Sequence, residues 1–155
     1  MVLDQVRLTF EDLVQYSPRY SSSQALLSPV APKPSECNFG WRDRWWLHKT
    51  SAQNLSLNYW GFTSAAEAIR VGELSINRIS TRQRFINGTR QSVYQPETGV
   101  LTADCMWRAE RNILFTRSNI LILVSESGHK IELAVTIDIA QKILNKIEAQ
   151  LSLTT

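Results

Sequence analysis

The chain has 155 residues and a mass of 17.7 kDa, room for one ordinary domain but not for two. It is 43% hydrophobic, enough for a packed core, and its 20% of charged residues is too few for a charge-rich disordered chain. Its 17 Lys and Arg against 14 Asp and Glu leave a net charge of +3, too small by itself to mark a nucleic-acid binder. The two cysteines, Cys37 and Cys105, have no C-x-x-C spacing and are too few for a disulfide scaffold, so a reducing compartment is expected. Residues 1–10 contain Asp4 and Arg7 and lack the apolar core of a secretory signal. The longest apolar run, Ile120 to Val124, is far short of the roughly 18 residues of a membrane span. The expected localisation is cytoplasmic, with no membrane partner.

Along the chain, residues 1–16 read as a helical segment. Thr9 can cap a short helix from Phe10 to Gln15, with Asp12 three residues on and Phe10, Leu13 and Val14 on one side. Residues 17–36 hold six serines and four of the five prolines, which favours extended or mobile chain and reads as a linker or long loop. Ala25-Leu26-Leu27 within it could dock. Residues 37–155 read as a single α+β domain.

That domain opens on a period-two stretch from Trp41 to Lys49, with Trp41, Trp45 and Leu47 on one side and Arg42, Arg44, Trp46 and His48 on the other. Leu55 to Phe62 repeats the alternation, with Leu55, Leu57 and Tyr59 against Ser56, Asn58, Trp60 and Phe62. Thr50 to Asn54 would close the hairpin. Ser64 and Glu67 have capping-box spacing for a short helix over Thr63 to Arg70, ended by Gly72. Strands are then expected over Glu73–Ser80, Gln83–Ile86 and Thr89–Tyr94, with Asn87-Gly88 as a hairpin turn. After a turn at Gln95–Gly99, further strands are expected over Val100–Arg108, with Leu101, Ala103, Cys105 and Trp107 inward, and over Ile113–Thr116, Ile120–Ser125 and Lys130–Val135. Ile120 to Val124 is apolar on both sides, so both its faces must be covered, by another helix, a second sheet layer or a partner chain. Ala140, Ile143, Leu144, Ile147 and Leu151 recur at helical spacing, predicting an amphipathic C-terminal helix with Thr136 as its N-cap and Asp138 in its first turn. The fold expected is an antiparallel β-sheet meander of about six to eight strands with this helix packed on it and a short N-terminal helix; a pleckstrin-homology-like β-roll is the alternative.

No catalytic signature is present: no G-x-S-x-G, P-loop, G-x-G-x-x-G or H-E-x-x-H occurs, and His48 and His129 are isolated. Neither an enzyme nor a metal or other cofactor is expected. Cys105 reads as a buried small hydrophobe, while Cys37 borders the linker with no base placed beside it by the sequence. Residues 70–117 carry eight of the twelve arginines (Arg70, Arg78, Arg82, Arg84, Arg90, Arg108, Arg111, Arg117) against four acids. That excess could serve a solvated sheet face, an acidic peptide or nucleic acid, the last disfavoured by its modest size.

The chain has fourteen aromatic residues, and seven of them, Phe39, Trp41, Trp45, Trp46, Tyr59, Trp60 and Phe62, lie within 24 positions. If Lys49 pairs with Leu55, Arg44 lies opposite Trp60 and Trp46 opposite Asn58, making Trp46 and Trp60 diagonal neighbours, with Arg44 over Trp60 in a cation–π contact. Arg42, Arg44, Trp46, Trp60 and Phe62 are therefore the candidate partner-binding residues, since Trp, Tyr and Arg dominate binding hot spots. The competing expectation is that the Ser64 to Arg70 helix, or the 17–36 segment, covers that face.

At this cluster, W-R-D-R-W-W-L-H-K-T followed by L-N-Y-W-G-F, the sequence resembles the CcmS-type carboxysome assembly chaperones, small cyanobacterial accessory proteins, as it does in length and in its helix, sheet and helix order. The resemblance implies a non-enzymatic chaperone or adaptor that binds the flexible C-terminal extension of a hexameric shell protein, keeps it soluble and aids shell assembly. The other readings are a small-ligand binding protein or enzyme of tetrapyrrole type, and a nucleic-acid-binding module.

Overall fold

The computed structural model describes residues 2–27, 37–47, 54–79, 83–86, 89–92, 94–127 and 131–154, with side chains described outside 54, 77–79, 83–86 and 89–92. The elements in chain order are α1 (Leu3–Val6), a 3-10 turn (Glu11–Tyr16), β1 (Arg19–Ala25), β2 (Cys37–Trp46), β3 (Asn54–Phe62), α2 (Ala65–Ile79), β4 (Gln83–Ile86), β5 (Thr89–Ser92), β6 (Gln95–Pro96), β7 (Cys105–Ala109), β8 (Asn112–Arg117), β9 (Ile120–Ser127) and α3 (Leu133–Leu153). Seven strands form one antiparallel sheet in the order β1-β2-β3-β9-β8-β7-β6, and β4 and β5 pair separately. Two meanders thus run in from opposite edges and meet at β3 and β9. The fold is α+β, and the sheet is larger than a simple meander. It is an open sheet with a helix on each face and not a roll.

The apolar run of β9 sets this layering. Ile120, Ile122 and Val124 enter a core with Leu55, Leu57, Tyr59, Ile113 and Phe115 under the α3 residues Ile139, Ala140, Ile143, Leu144 and Ile147. Leu121 and Leu123 enter a second core with Trp60, Phe62, Trp107 and Leu114 under Ala68 and Val71 of α2. The second cover of β9 is therefore a helix of this same chain.

Several expected elements differ. α2 continues to Ile79, through Gly72 and into the expected strand Glu73–Ser80. Its start is as expected, with Ser64 Oγ accepting the Glu67 N–H at 3.1 Å. Gly72 lies in mid-helix because a Cβ there would sit 2.9 Å from the Trp107 ring, so glycine permits the close helix-on-sheet approach instead of ending the helix. The expected strand Lys130–Val135 is absent where described: Ile131 is buried outside any strand, and α3 begins at Leu133. Thr136 is consequently inside the helix, its hydroxyl donating to the Leu133 carbonyl at 3.0 Å, and Glu132 takes the N-cap position. Of Val100–Arg108 only the end is strand, and the four expected inward residues divide, Leu101 and Ala103 packing on the α3-side core and Cys105 and Trp107 on the α2-side core. A short N-terminal helix is present as expected, α1 at Leu3–Val6, while the stretch expected as helix from Phe10 to Gln15 is the 3-10 segment Glu11–Tyr16, whose three-residue repeat buries Leu13 and Tyr16 and leaves Phe10 and Val14 exposed.

The expected linker 17–36 begins instead with an edge strand, β1, paired to β2 from Arg19↔Trp46 to Ala25↔Trp41. Residues 28–36 lie outside the described residues, as do His48, His129, the closing loop 50–53 and the Asn87-Gly88 turn. The N-terminal segment is fastened to the α3 side of the sheet by a buried carboxylate. Asp43 accepts from Arg7 Nε and Nη2, each at 2.8 Å, from Trp41 Nε1 at 3.0 Å, and from the Ser23 hydroxyl. The hydrogen bond to Asp43 holds the Arg7 guanidinium above its ordinary pKa. Lys146 of α3 adds an ion pair to Asp12 at 2.7 Å and donates to the Arg7 carbonyl at 2.9 Å.

Substituting Gly72→Val is expected to destabilise the protein by about 1–3 kcal/mol, because the added atoms meet the Trp107 indole; an unshifted urea midpoint would show that α2 tolerates a wider separation. Three phenols supply a second expectation. Burial raises Tyr16 to about 12, aided by its hydrogen bond to Asp138; burial likewise raises Tyr94 to about 12 and pushes Tyr59 up further. Such groups stay neutral in the fold after the unfolded chain has begun to ionise near pH 10, so their contribution is intact below that pH and is lost above it. Stability should fall above about pH 10 by roughly 1.4 kcal/mol per pH unit for each phenol until its folded pKa is reached. Urea titrations at successive alkaline pH values check this, and a flat profile between pH 9 and about 11 would contradict it.

Candidate functional site

Strand alternation places the aromatic hairpin as expected by face but not by register. Trp45, Leu47, Leu55, Leu57 and Tyr59 lie in the α3-side core, while Trp60 and Phe62 lie in the α2-side core. β2 and β3 pair with Arg44 opposite Ser56, Trp46 opposite Asn54, Arg42 opposite Asn58 and Gly40 opposite Trp60. Arg44 therefore meets a residue four positions earlier than expected. Trp46 and Trp60 are not diagonal neighbours, and Arg44 is not placed over Trp60. The expected register assumed that the strands close at Lys49; β2 instead ends at Trp46, which leaves a longer connection.

The five candidate residues consequently separate. Trp60 and Phe62 lie under α2, and Leu26 and Leu27 of the 17–36 segment add to the cover at Trp60, so both of the covers weighed from sequence are present. The Leu26 N–H donates to the Gly40 carbonyl at 2.8 Å, and Trp60 Nε1 donates to the Leu27 carbonyl at 3.1 Å. A Cβ at Gly40 would lie 2.3 Å from the Leu26 carbonyl oxygen, so that close pass requires glycine. Arg42, Arg44 and Trp46 stay half-buried on the part of this face beyond α2.

β1 extends this remaining surface. Arg19, Ser22 and Gln24 stand opposite Trp46, Arg44 and Arg42, and all three are exposed. The Arg19 guanidinium lies over the Trp46 ring, 6.0 Å from its centroid, in place of the contact expected at Trp60. Arg42 Nε donates to the Asn58 side-chain Oδ1 at 2.9 Å. Burial, and then the neighbouring Arg44 charge, lower the Arg42 pKa. By strand alternation the described residues of this half-face are Arg19, Ser22 and Gln24 on β1, Arg42, Arg44 and Trp46 on β2, and Ser56 and Asn58 on β3, with no carboxylate among them. Asp43 falls on the opposite face.

The other arginines contrast with these. Arg7 pairs with Asp43, Arg70 with Glu67, Arg108 with Glu97 at 2.6 Å, and Arg117 with both Asp104 and Glu148. Much of the arginine excess noted in residues 70–117 is thus engaged internally where it is described; Arg78, Arg82, Arg84 and Arg90 have no described side chains. Sequence reasoning missed Arg19, because a serine-rich edge strand has no apolar alternation. It also passed over Asp43, although a carboxylate between Trp41 and Trp45 at an inward position signals a buried cation partner.

Cys37 and Cys105 are free thiols, both half-buried, and burial raises the pKa of each, which disfavours the reactive thiolate. Among the described residues no three His, Cys, Asp or Glu side chains gather in a set that could hold a metal ion. A shallow groove of about 380 Å³ lies between the 3-10 turn and α3, lined by residues that include Asp12, Gln15, Lys142 and Lys146. It is remote in sequence from the aromatic hairpin. No described helix is long and apolar enough to cross a membrane.

No family model matches the chain, and no curated protein matches it in sequence. Its fold is similar to that in the crystal structure of the extracellular domain of PknH from Mycobacterium tuberculosis, with a TM-score of 0.58 and 9% sequence identity over 95% of both chains. At that identity the likeness concerns the fold alone.

The split between covered and open aromatics is measurable. Trp60→Ala is expected to cost about 3–5 kcal/mol, as for a buried indole, whereas Trp46→Ala should cost less than about 1 kcal/mol. Chemical denaturation of the two variants checks this, and equal losses would mean that Trp46 is as much a part of the core as Trp60.

Proposed function

We propose that this protein is a non-enzymatic assembly chaperone or adaptor that captures a flexible segment of a partner protein on the open half of its sheet. The observation that carries the reading is the juxtaposition of Trp46, Arg42 and Arg44 on β2 with Arg19 on β1, a strand that among the described residues pairs only on its β2 side. An indole among guanidinium groups is the residue chemistry of binding hot spots, and an edge strand offers main-chain hydrogen bonds to an extended peptide. The resemblance to carboxysome assembly chaperones supplies the specific partner, the C-terminal extension of a shell protein. Ordering a flexible tail opposes binding, so a modest and reversible affinity fits the role.

Fluorescence anisotropy with a labelled peptide of that extension tests this, together with light scattering of the intact shell protein in the presence and absence of the chain. Saturable binding, reduced scattering, and a loss of about tenfold or more in affinity on Trp46→Ala with the thermal transition in place are expected. Absence of binding to both peptide and shell protein would refute the proposal.

A further inference from the structure

The open half-face has a distribution of charge that internal stability does not account for. Arg7, Arg70, Arg108 and Arg117 each have a carboxylate partner within the chain. Arg19, Arg42 and Arg44 have none among the described residues, and they lie together. Arg42 and Arg44 project from the same face of β2, two residues apart, with Arg19 on the adjoining strand opposite Trp46. Like charges at neighbouring sheet positions oppose folding, and half-burying them adds desolvation. An anion placed among them would relieve both effects, and a guanidinium fork grips a carboxylate through two parallel hydrogen bonds.

Strand geometry narrows the form of that anion. Among the described residues β1 is the edge of the sheet, and besides Arg19 its residues on the arginine side are Ser22, opposite Arg44, and Gln24, opposite Arg42. Ser22 is small and exposed, so little side-chain bulk separates Arg44 from the edge. A peptide added beside β1 would present every second side chain to this face. Carboxylates at two-residue spacing would follow the row of guanidinium groups while the peptide backbone paired with β1.

We infer that this face takes an acidic, extended peptide segment, with glutamate or aspartate at alternate positions, added as a further strand along β1 and held by Arg19, Arg42 and Arg44. This rests on the docking reading above and specifies the chemistry of the captured segment. A single-stranded nucleic acid would also answer to the arginines, but its bases would need more than the one half-exposed indole for stacking, and it would make no use of a strand edge.

The test measures binding of the full chain to a short peptide alternating glutamate and threonine, to the same peptide with glutamine for glutamate, and to an oligothymidylate. Expected are saturable binding of the glutamate peptide that weakens with salt, at least tenfold weaker binding of the glutamine peptide, and a loss of about tenfold or more on Arg42→Ser with Arg44→Ser. Arg44→Ser alone, which breaks no ion pair among the described residues, should reproduce part of the loss with the thermal transition unchanged. Lys142→Ser, on α3 across the sheet, should leave affinity unaltered. Equal binding of the two peptides, indifference to both arginine substitutions, or tighter arginine-dependent binding of the oligothymidylate would each overturn the inference. If the shell-protein extension binds regardless of Arg44 while the glutamate peptide does not, the acidic assignment falls and the docking reading stands; if neither binds, both fall.

Discussion

The architecture depends on one constraint, that β9 is apolar on both faces. A strand reading Ile-Leu-Ile-Leu-Val at the centre of a sheet is stable only when each face is sealed, since either side left in water would expose alternate branched side chains. α3 seals one side, and the chain has to supply a second helix for the other. That requirement explains the connection after β3. The chain does not turn back into a neighbouring strand but lies across the sheet as α2, and it re-enters at the far edge as β6 before the second meander returns to β9.

The same arrangement leaves an asymmetry. A sheet of seven strands is about 29 Å wide, while one helix is about 10 Å across with its side chains. α2 sits over β8, β9 and the end of β3, so β1 and β2 lie beyond its reach on that side. On the opposite side the same two strands are closed by the N-terminal segment, through the fork of Arg7 on Asp43 and the apolar contacts of Val6, Leu8 and Leu13. Alternate residues of β2 therefore face two environments: Asp43, Trp45 and Leu47 are sealed, and Arg42, Arg44 and Trp46 are not. Among the described residues, Leu26 and Leu27 extend the cover on the α2 side, as far as Trp60.

Which face each hairpin residue occupies was legible in the sequence because side-chain direction in a strand has a strict period of two. Register was not legible, because it depends on where the connecting loop closes, and nothing in residues 47–54 declares that. The four-residue discrepancy is an even number, so every side chain kept its face while every cross-strand neighbour changed. Expected site members could thus share a face correctly and still not form a site. Helix against strand was ambiguous where the sequence offered a local stop or an alternation that tertiary packing overrode: Gly72 reads as a cap until Trp107 is beneath it, and Leu74 and Ile76 alternate like a strand although Ala68, Val71 and Ser75 form the buried stripe. β1 was hidden for the opposite reason. An edge strand buries almost nothing, so its serines carry no apolar signal, and only pairing with β2 gives it structure.

Net charge misleads in a related way. A total of +3 averages over ion pairs that cancel locally and over residues that have no partner. Arg7, Arg70, Arg108 and Arg117 belong to the first kind, and all but Arg70, which pairs within α2, join a strand to a loop or to α3. Arg19, Arg42 and Arg44 belong to the second kind, and their charges sum on one patch where no described carboxylate opposes them. Within a Debye length of that patch, about 8 Å at physiological salt, an approaching segment responds to this local charge rather than to the molecular total. Composition is silent about such a patch, because what creates it is the placement of three arginines on the half of a sheet that α2 does not cover.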